Sequence, residues 1–232
     1  MNLHEEYVRK VLSAVNPSGL LKSRESNTVE FKESFNKAST AKYAKTMAAY
    51  ANNRGGYIVF GVKDNPREVI GLKNNNFDSL NQEVFTDAIN SLFAPSLEWE
   101  CGSFVLQIET TVTSTYSKDE TKTRDKQIGW LYTEESFHKP VIAQKADSGE
   151  KISSGDVYYR YRARSEKIKY AEMSHIIDER AAKEREGLLK LFEVIRKSGT
   201  ANLGIINYGN GKFSTPYGVD VAFDHKLVTQ VL

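Results

Sequence analysis

The first sixteen residues, MNLHEEYVRKVLSAVN, put Leu3, Tyr7, Val8, Val11, Leu12 and Val15 on one side of a helix and charged residues on the other. Asn16-Pro17-Ser18-Gly19 is a turn that ends it. The period then changes. Val29-Glu30-Phe31-Lys32 alternates, so a strand here turns Val29 and Phe31 to one face and Glu30 and Lys32 to the other. Ser39 or Thr40 can cap the next helix, whose apolar stripe is Ala44, Met47, Ala48 and Ala51, and Gly55-Gly56 stops it. Tyr57 to Val62 is a continuous apolar run, the pattern of a strand covered on both faces, with Asp64 at its mouth. A turn at Asp64-Asn65-Pro66 leads into a short strand at Glu68 to Gly71.

Phe77 to Phe93 reads as a second helix with Leu80, Val84, Phe85, Ala88, Ile89 and Leu92 on its apolar side, ended by Ala94-Pro95. Leu97 to Cys101 and Phe104 to Thr111 read as a hairpin about Gly102-Ser103. The polar, charged stretch from Ser114 to Lys126 reads as a surface loop or insertion, with further strands at Ile128 to Tyr132 and Val141 to Ala143. Ala171 to Lys197 reads as a helix or a helix pair, weakened near Glu186-Gly187, with Leu188, Leu191, Phe192 and Ile195 as the stripe of its second half. Beyond Gly199, two short strands flank a turn at Tyr208 to Gly211, and a helix begins at the last residues. The expectation is an α+β fold: a mixed sheet with flanking helices, then a long helix and a small C-terminal β segment.

The chain has 232 residues, 40% of them hydrophobic, which suits one large or two small globular domains. No apolar run is long enough to span a membrane. The N-terminal stretch carries acidic residues among its apolar ones, unlike a signal peptide. Cys101 is the single cysteine and reads as a small buried apolar residue, not a reactive thiol. A cytoplasmic protein is the default expectation.

The formal net charge of +2 is uninformative, but its distribution is not. VYYRYRARSEKIKY, residues 157–170, carries five basic residues against one acidic. On one strand, Tyr158, Arg160, Arg162 and Arg164 would line a face suited to phosphates and stacked bases, with Lys167 close behind. The same pattern also serves as a charged edge that deters pairing with other strands. A second constellation is Glu25, Glu30, Asp64 and Lys32. Carboxylates in such a group can hold Mg²⁺ or Mn²⁺, while a lysine steadies a phosphate. Glu25 and Glu30 are five apart and fall on opposite faces of a straight strand, so they converge only if Ser26-Asn27 bends the chain. Singly, each of these residues is an ordinary surface carboxylate or a partner in an ion pair such as Glu30 with Lys32. The four histidines have no metal-ligand spacing, and Tyr208-Gly209-Asn210-Gly211-Lys212 lacks the spacing of a phosphate loop.

Glu25 with Val29-Glu30-Phe31-Lys32, Ala49-Tyr50-Ala51-Asn52 with Gly55-Gly56, Gly61-Val62-Lys63-Asp64 and Ile70-Gly71-Leu72 occur in an order that resembles the Schlafen AlbA_2 domain. Gly155-Asp156-Val157-Tyr158-Tyr159-Arg160 resembles that family's closing strand. The likeness covers about residues 20–178 and is poor over about 110–150. It implies an AlbA_2-like nucleic-acid-binding domain at 1–178 with a variable insertion at 114–150. Residues 179–232 are then a helical linker and a small terminal segment. Nuclease-active Schlafens use a Glu, a second Glu five residues on and an Asp at a strand end. Matched residue by residue, these fall on Glu25, Glu30 and Asp64, with Lys32 as the phosphate contact.

The resemblance thus implies a metal-dependent endonuclease acting on RNA, tRNA included, or single-stranded nucleic acid, and by analogy a role in phage defence. Arg160, Arg162, Arg164, Lys167 and Tyr158 would hold the backbone. Lys63 stands where many members carry an acid, which weakens a second metal position. The rival expectation is a non-catalytic DNA- or RNA-binding regulatory module in which the same carboxylates are structural. A further one is a homodimer or larger assembly formed through the Ala171–Lys197 helix, which could instead pack back on its own domain.

Overall fold

The computed structural model of the protein describes residues 2–16, 19–74, 76–112, 120–198, 205–207, 212–214 and 220–222. The chain begins with helix α1 (Leu3–Ser13), capped by the Asn2 side chain, which accepts from the His4 N–H. Strand β1 (Val29–Lys32) follows, then a single 3₁₀ turn at Lys37–Ser39 and helix α2 (Thr40–Ala51). The expected Ser39 or Thr40 cap is replaced: Asn36 caps the 3₁₀ turn, and Ser39 makes no side-chain cap bond. Strand β2 (Gly56–Phe60) stops one residue before Gly61, whose φ of +95° breaks the apolar run; β3 (Val62–Lys63) and β4 (Glu68–Val69) then form a small hairpin.

Helix α3 (Gln82–Leu92) starts later than the apolar pattern predicts, because Asn81 caps it by accepting from the Val84 N–H, while Phe77 lies before it and fills the core. Strand β5 (Phe93–Ala94) comes next, followed by two long strands, β6 (Trp99–Val112) and β7 (Glu120–Thr133). The expected hairpin about Gly102-Ser103 does not form. Both residues lie inside β6, and a Cβ on Gly102 would come within 2.6 Å of the Trp130 ring, so the glycine serves close packing, not a turn. The true partner of β6 is β7, in register from Trp99↔Thr133 to Val112↔Glu120. Part of the polar stretch expected as a loop is thus strand. Its threonines are β-branched and suit a pleated ribbon.

Strand β8 (Ile142–Ala143) pairs with β5, and β9 (Tyr158–Tyr161) with β10 (Arg164–Lys167). Helix α4 (Tyr170–Ser198) runs unbroken through Glu186-Gly187, where i,i+4 pairs such as Glu186–Lys190 bridge the weak point. Strands β11 (Ile205–Asn207), β12 (Lys212–Ser214) and β13 (Asp220–Ala222) form an antiparallel sheet of three strands where two were expected. The expected turn at 208–211 and terminal helix lie outside the described residues. Met1–Ile176 make one compact unit and Ile177–Leu232 a second.

The first unit is built on the sheet β1-β2-β7-β6, with β1 and β2 parallel and the other pairs antiparallel, which is the mixed α+β architecture expected. The parallel pair is joined through α2, as a crossover requires. Val8 and Leu12 of α1 pack with Val29, Phe31, Val59, Ile128 and Trp130 on one face. Helices α2 and α3 cover the other, where Met47, Ala48, Phe85 and Ile89 meet Ile58, Phe60 and Leu131. On α4, Leu188, Leu191 and Phe192 are more than half exposed.

Candidate functional site

The site is assembled at the open edge of β1. The Ser26 N–H donates to the Val29 carbonyl at 2.9 Å, and Ser26 Oγ accepts from the N–H groups of Thr28 and Val29. This is the bend that the spacing of Glu25 and Glu30 requires. It folds Glu25 back along the strand, where its Oε1 accepts from the Phe31 N–H at 3.0 Å and covers a donor on the sheet edge. Glu30, the middle of the constellation, points inward and is only 6% exposed. Its Oε2 receives Arg160 Nη1 at 2.7 Å and its Oε1 pairs with Lys32 Nζ. Asp64 stands exposed just past β3.

The four residues form one electrostatic neighbourhood. Burial pushes the Glu25 carboxyl above its ordinary 4.5; the Phe31 N–H opposes this, Glu30 adds to it, Lys32 subtracts and Asp64 adds a little more. The folded protein therefore keeps the Glu25 proton to a higher pH than the unfolded chain. The stability tied to that proton is whole below about pH 4.5 and is lost as pH rises through the raised folded value. Glu25→Gln keeps an oxygen for Phe31 and is expected to melt above wild type at neutral pH, with the advantage vanishing in acid. Melting curves at stepped pH check this, and a glutamine variant that melts lower at neutral pH contradicts it.

Nearness is not ligation. Among the described residues, no three His, Cys, Asp or Glu side chains are arranged to hold a metal ion. Glu30, with one oxygen on each of two cations, is already neutralised. As placed, the three carboxylates do not fit a Mg²⁺ or Mn²⁺ centre.

The expected basic row is also rearranged. Arg160 is 1% exposed and belongs to the interior: its Nε donates to the Ser26 carbonyl, its Nη1 to Glu30 and Ser165, and its guanidinium lies 5.2 Å from the Tyr50 ring centre. Its Nη2 is buried without a hydrogen-bond partner. Tyr158 is core as well, with its hydroxyl donating to Asp156 at 2.9 Å. Arg162 has φ +49° in the turn between β9 and β10, so the single strand face imagined for these residues is folded into a hairpin. Arg162, Arg164 and Lys167 remain at the surface, with Lys167 held to Asp156 at 2.8 Å. The physical reason is non-local: only one arginine of the set reaches a buried carboxylate.

Two asparagines at the end of α2 carry more of the site than their sequence suggests. Asn52 is wholly buried; its Nδ2 donates to the carbonyls of Val141 and Tyr158, and its Oδ1 accepts from the Val141 N–H. Asn53 Nδ2 donates to the Arg160 carbonyl at 3.1 Å. Together they fix β9, and with it Arg160, against the helix. A polar pair closing an Ala-rich helix was the available signal. Cys101 is half-buried, and burial pushes its thiol up, while Gln82 Nε2 donates to its sulfur at 3.3 Å.

A family model described as Schlafen, AlbA_2 matches residues 25–169. An uncharacterized ATP-binding protein of Ureaplasma parvum serovar 3 is 57% identical over 229 residues, 99% of this chain and 63% of the relative. The chain thus spans less than two thirds of that relative's length. Among solved structures, the DIP2311 protein of Corynebacterium diphtheriae is similar at 15% identity and a TM-score of 0.42, over 74% of this chain and 28% of that one. The N-terminal domain of a RecG-related protein from Nitrosomonas europaea is similar at 18% identity and a TM-score of 0.34, over 71% and 90%. Among the described residues, no helix is long and apolar enough to cross a membrane.

Proposed function

The chain belongs to the Schlafen AlbA_2 family, and we propose that it binds RNA or single-stranded nucleic acid through the β1 edge and the β9–β10 hairpin, with Glu30 as a structural group. One observation carries this reading: the two-sided neutralisation of Glu30. Arg160 and Lys32 close on the same carboxylate, which ties the hairpin to β1 and leaves Arg162, Arg164 and Lys167 outward beside a partly exposed Lys32. Four cations on adjoining elements suit a phosphate backbone, and contact with all four gives a log affinity that falls with log salt at a slope of about −3 on single strands.

A second reading, metal-dependent cleavage by Glu25, Glu30 and Asp64, is favoured by the nearness of the three carboxylates, each of the other two acting on the Glu25 carboxyl, which burial chiefly raises. It requires Glu30 to be released from a cation it holds in this structure. Labelled tRNA, single-stranded RNA and single-stranded DNA, incubated with Mg²⁺, Mn²⁺ or EDTA, separate the two. Salt-sensitive binding that ignores EDTA, without cutting, is the expected result. Cutting that needs metal and is lost in Asp64→Asn, an exposed position whose change leaves the fold alone, would establish the second reading instead.

A further inference from the structure

The register of β7 makes a ribbon that the sheet does not need. Strand β2 ends at Phe60 opposite Gly129, yet β6 and β7 stay paired for the nine further rungs from Phe104↔Ile128 to Val112↔Glu120. At about 3.4 Å per residue this ribbon reaches roughly 27 Å beyond the carboxyl end of β2. Lys32 is opposite Phe60, and Asp64 follows after Gly61, so the ribbon leaves the sheet at the end that carries Lys32 and Asp64.

Its base is anchored firmly. The Leu72 N–H donates to the Gln127 carbonyl at 2.7 Å, Lys126 Nζ donates to the Ile70 carbonyl at 3.0 Å, and the Arg9 guanidinium lies 4.1 Å over the Phe104 ring. Leu106 and Ile108 pack against the core cluster on the α1 side. A loose insertion has no such footing.

Over residues 124–126 the charges alternate between the two faces, with Glu120, opposite Val112, further out in the same alternation as Arg124. Arg124 and Lys126 share the face of Ile108 and Leu106, their register partners, while Asp125 shares the opposite face with its partner Gln107. Arg124, Asp125 and Gln107 are exposed. Lys122 occupies the next backbone position in the same alternation, opposite Thr110. On this face Arg124 is exposed and Lys126 is partly buried.

We propose that the outer β6–β7 ribbon is a second contact for the phosphodiester backbone of a nucleic-acid strand, made by the Arg124–Lys126 face. The inference rests on the nucleic-acid reading above and adds a surface to it. The anchored base holds Lys126 in place, and the ribbon carries Arg124 beyond the carboxyl end of β2.

The test is matched in charge. Arg124→Gln removes one positive charge from the basic face, and Gln107→Glu adds one negative charge to the other. Each changes the net charge equally at an exposed residue. Binding of labelled RNA and DNA strands of about 20 nucleotides is titrated at several salt concentrations. Arg124→Gln is expected to weaken binding about 5-fold at low salt and to flatten the salt slope by about 0.7, with Gln107→Glu within about 2-fold of wild type. A loss on either polymer supports the proposal, and comparison of the two names the preferred one. Equal effects from both variants would mean bulk charge alone and would overturn it. So would wild-type affinity in Arg124→Gln while Arg164→Gln binds poorly, which leaves the hairpin reading standing. If wild type binds neither polymer, both readings fall.

Discussion

Arg160→Ala is expected to remove about 3–5 kcal/mol of folding stability, because it strands a buried carboxylate. Glu30 is 6% exposed and keeps only Lys32 once Arg160 is gone; the Ser26 carbonyl and Ser165 hydroxyl lose their donor at the same time. The guanidinium also lies against the Tyr50 ring, so the alanine leaves a void where an interior contact stood. Urea unfolding of both proteins measures the difference. The double variant Glu30→Leu with Arg160→Met should recover most of it, since a buried ion pair gains little over apolar groups of like size. If Arg160→Ala unfolds at the wild-type midpoint, the pair is not the tie between β1 and the β9–β10 hairpin. The double variant has a second use. It removes Glu30 from the candidate site while restoring the fold, so it asks whether nucleic-acid binding depends on the carboxylate or on the hairpin it holds.

Asn52→Ala should be of similar severity. The amide serves the N–H and C=O of Val141 and the C=O of Tyr158, all from one buried side chain. Each buried backbone group left without a partner costs about 1–3 kcal/mol, so three of them total at least about 3 kcal/mol. Asn52→Asp is the sharper probe. An aspartate can still accept from the Val141 N–H, but it sets a second oxygen against two carbonyls, and the ionised form is buried. It should therefore be no better tolerated than alanine. Denaturant midpoints and hydrogen exchange at the Val141 amide report both effects; an aspartate variant of wild-type stability would contradict the assigned bonds.

These two variants also mark where reading by pattern stops. The alternation at Val29–Lys32 foresaw β1, and the bend at Ser26-Asn27 was required by the spacing of the glutamates before any geometry was known. The Ala-rich stripe foresaw α2. Gly102-Ser103 misled, since a glycine chosen for its missing side chain against Trp130 has the same letter as one chosen for a turn. The Thr- and Lys-rich stretch misled for a related reason: it has no apolar alternation of its own, and only its partner strand shows it to be a strand.

Periodicity, caps and the order of its short motifs are local properties, and from them the sequence by itself determined the α+β class, the helices α1 and α2 with the strands on either side of α2, and the membership in a family. The fate of each charge was decided by the tertiary structure alone. Four basic residues between 160 and 167 look alike along the chain, yet only Arg160 meets Glu30, 130 positions away, and is drawn inside. The others stay in water because burying a cation without such a partner is too unfavourable. Which arginine is structural and which are free to meet a phosphate is settled by a contact between distant segments, and no local pattern encodes it.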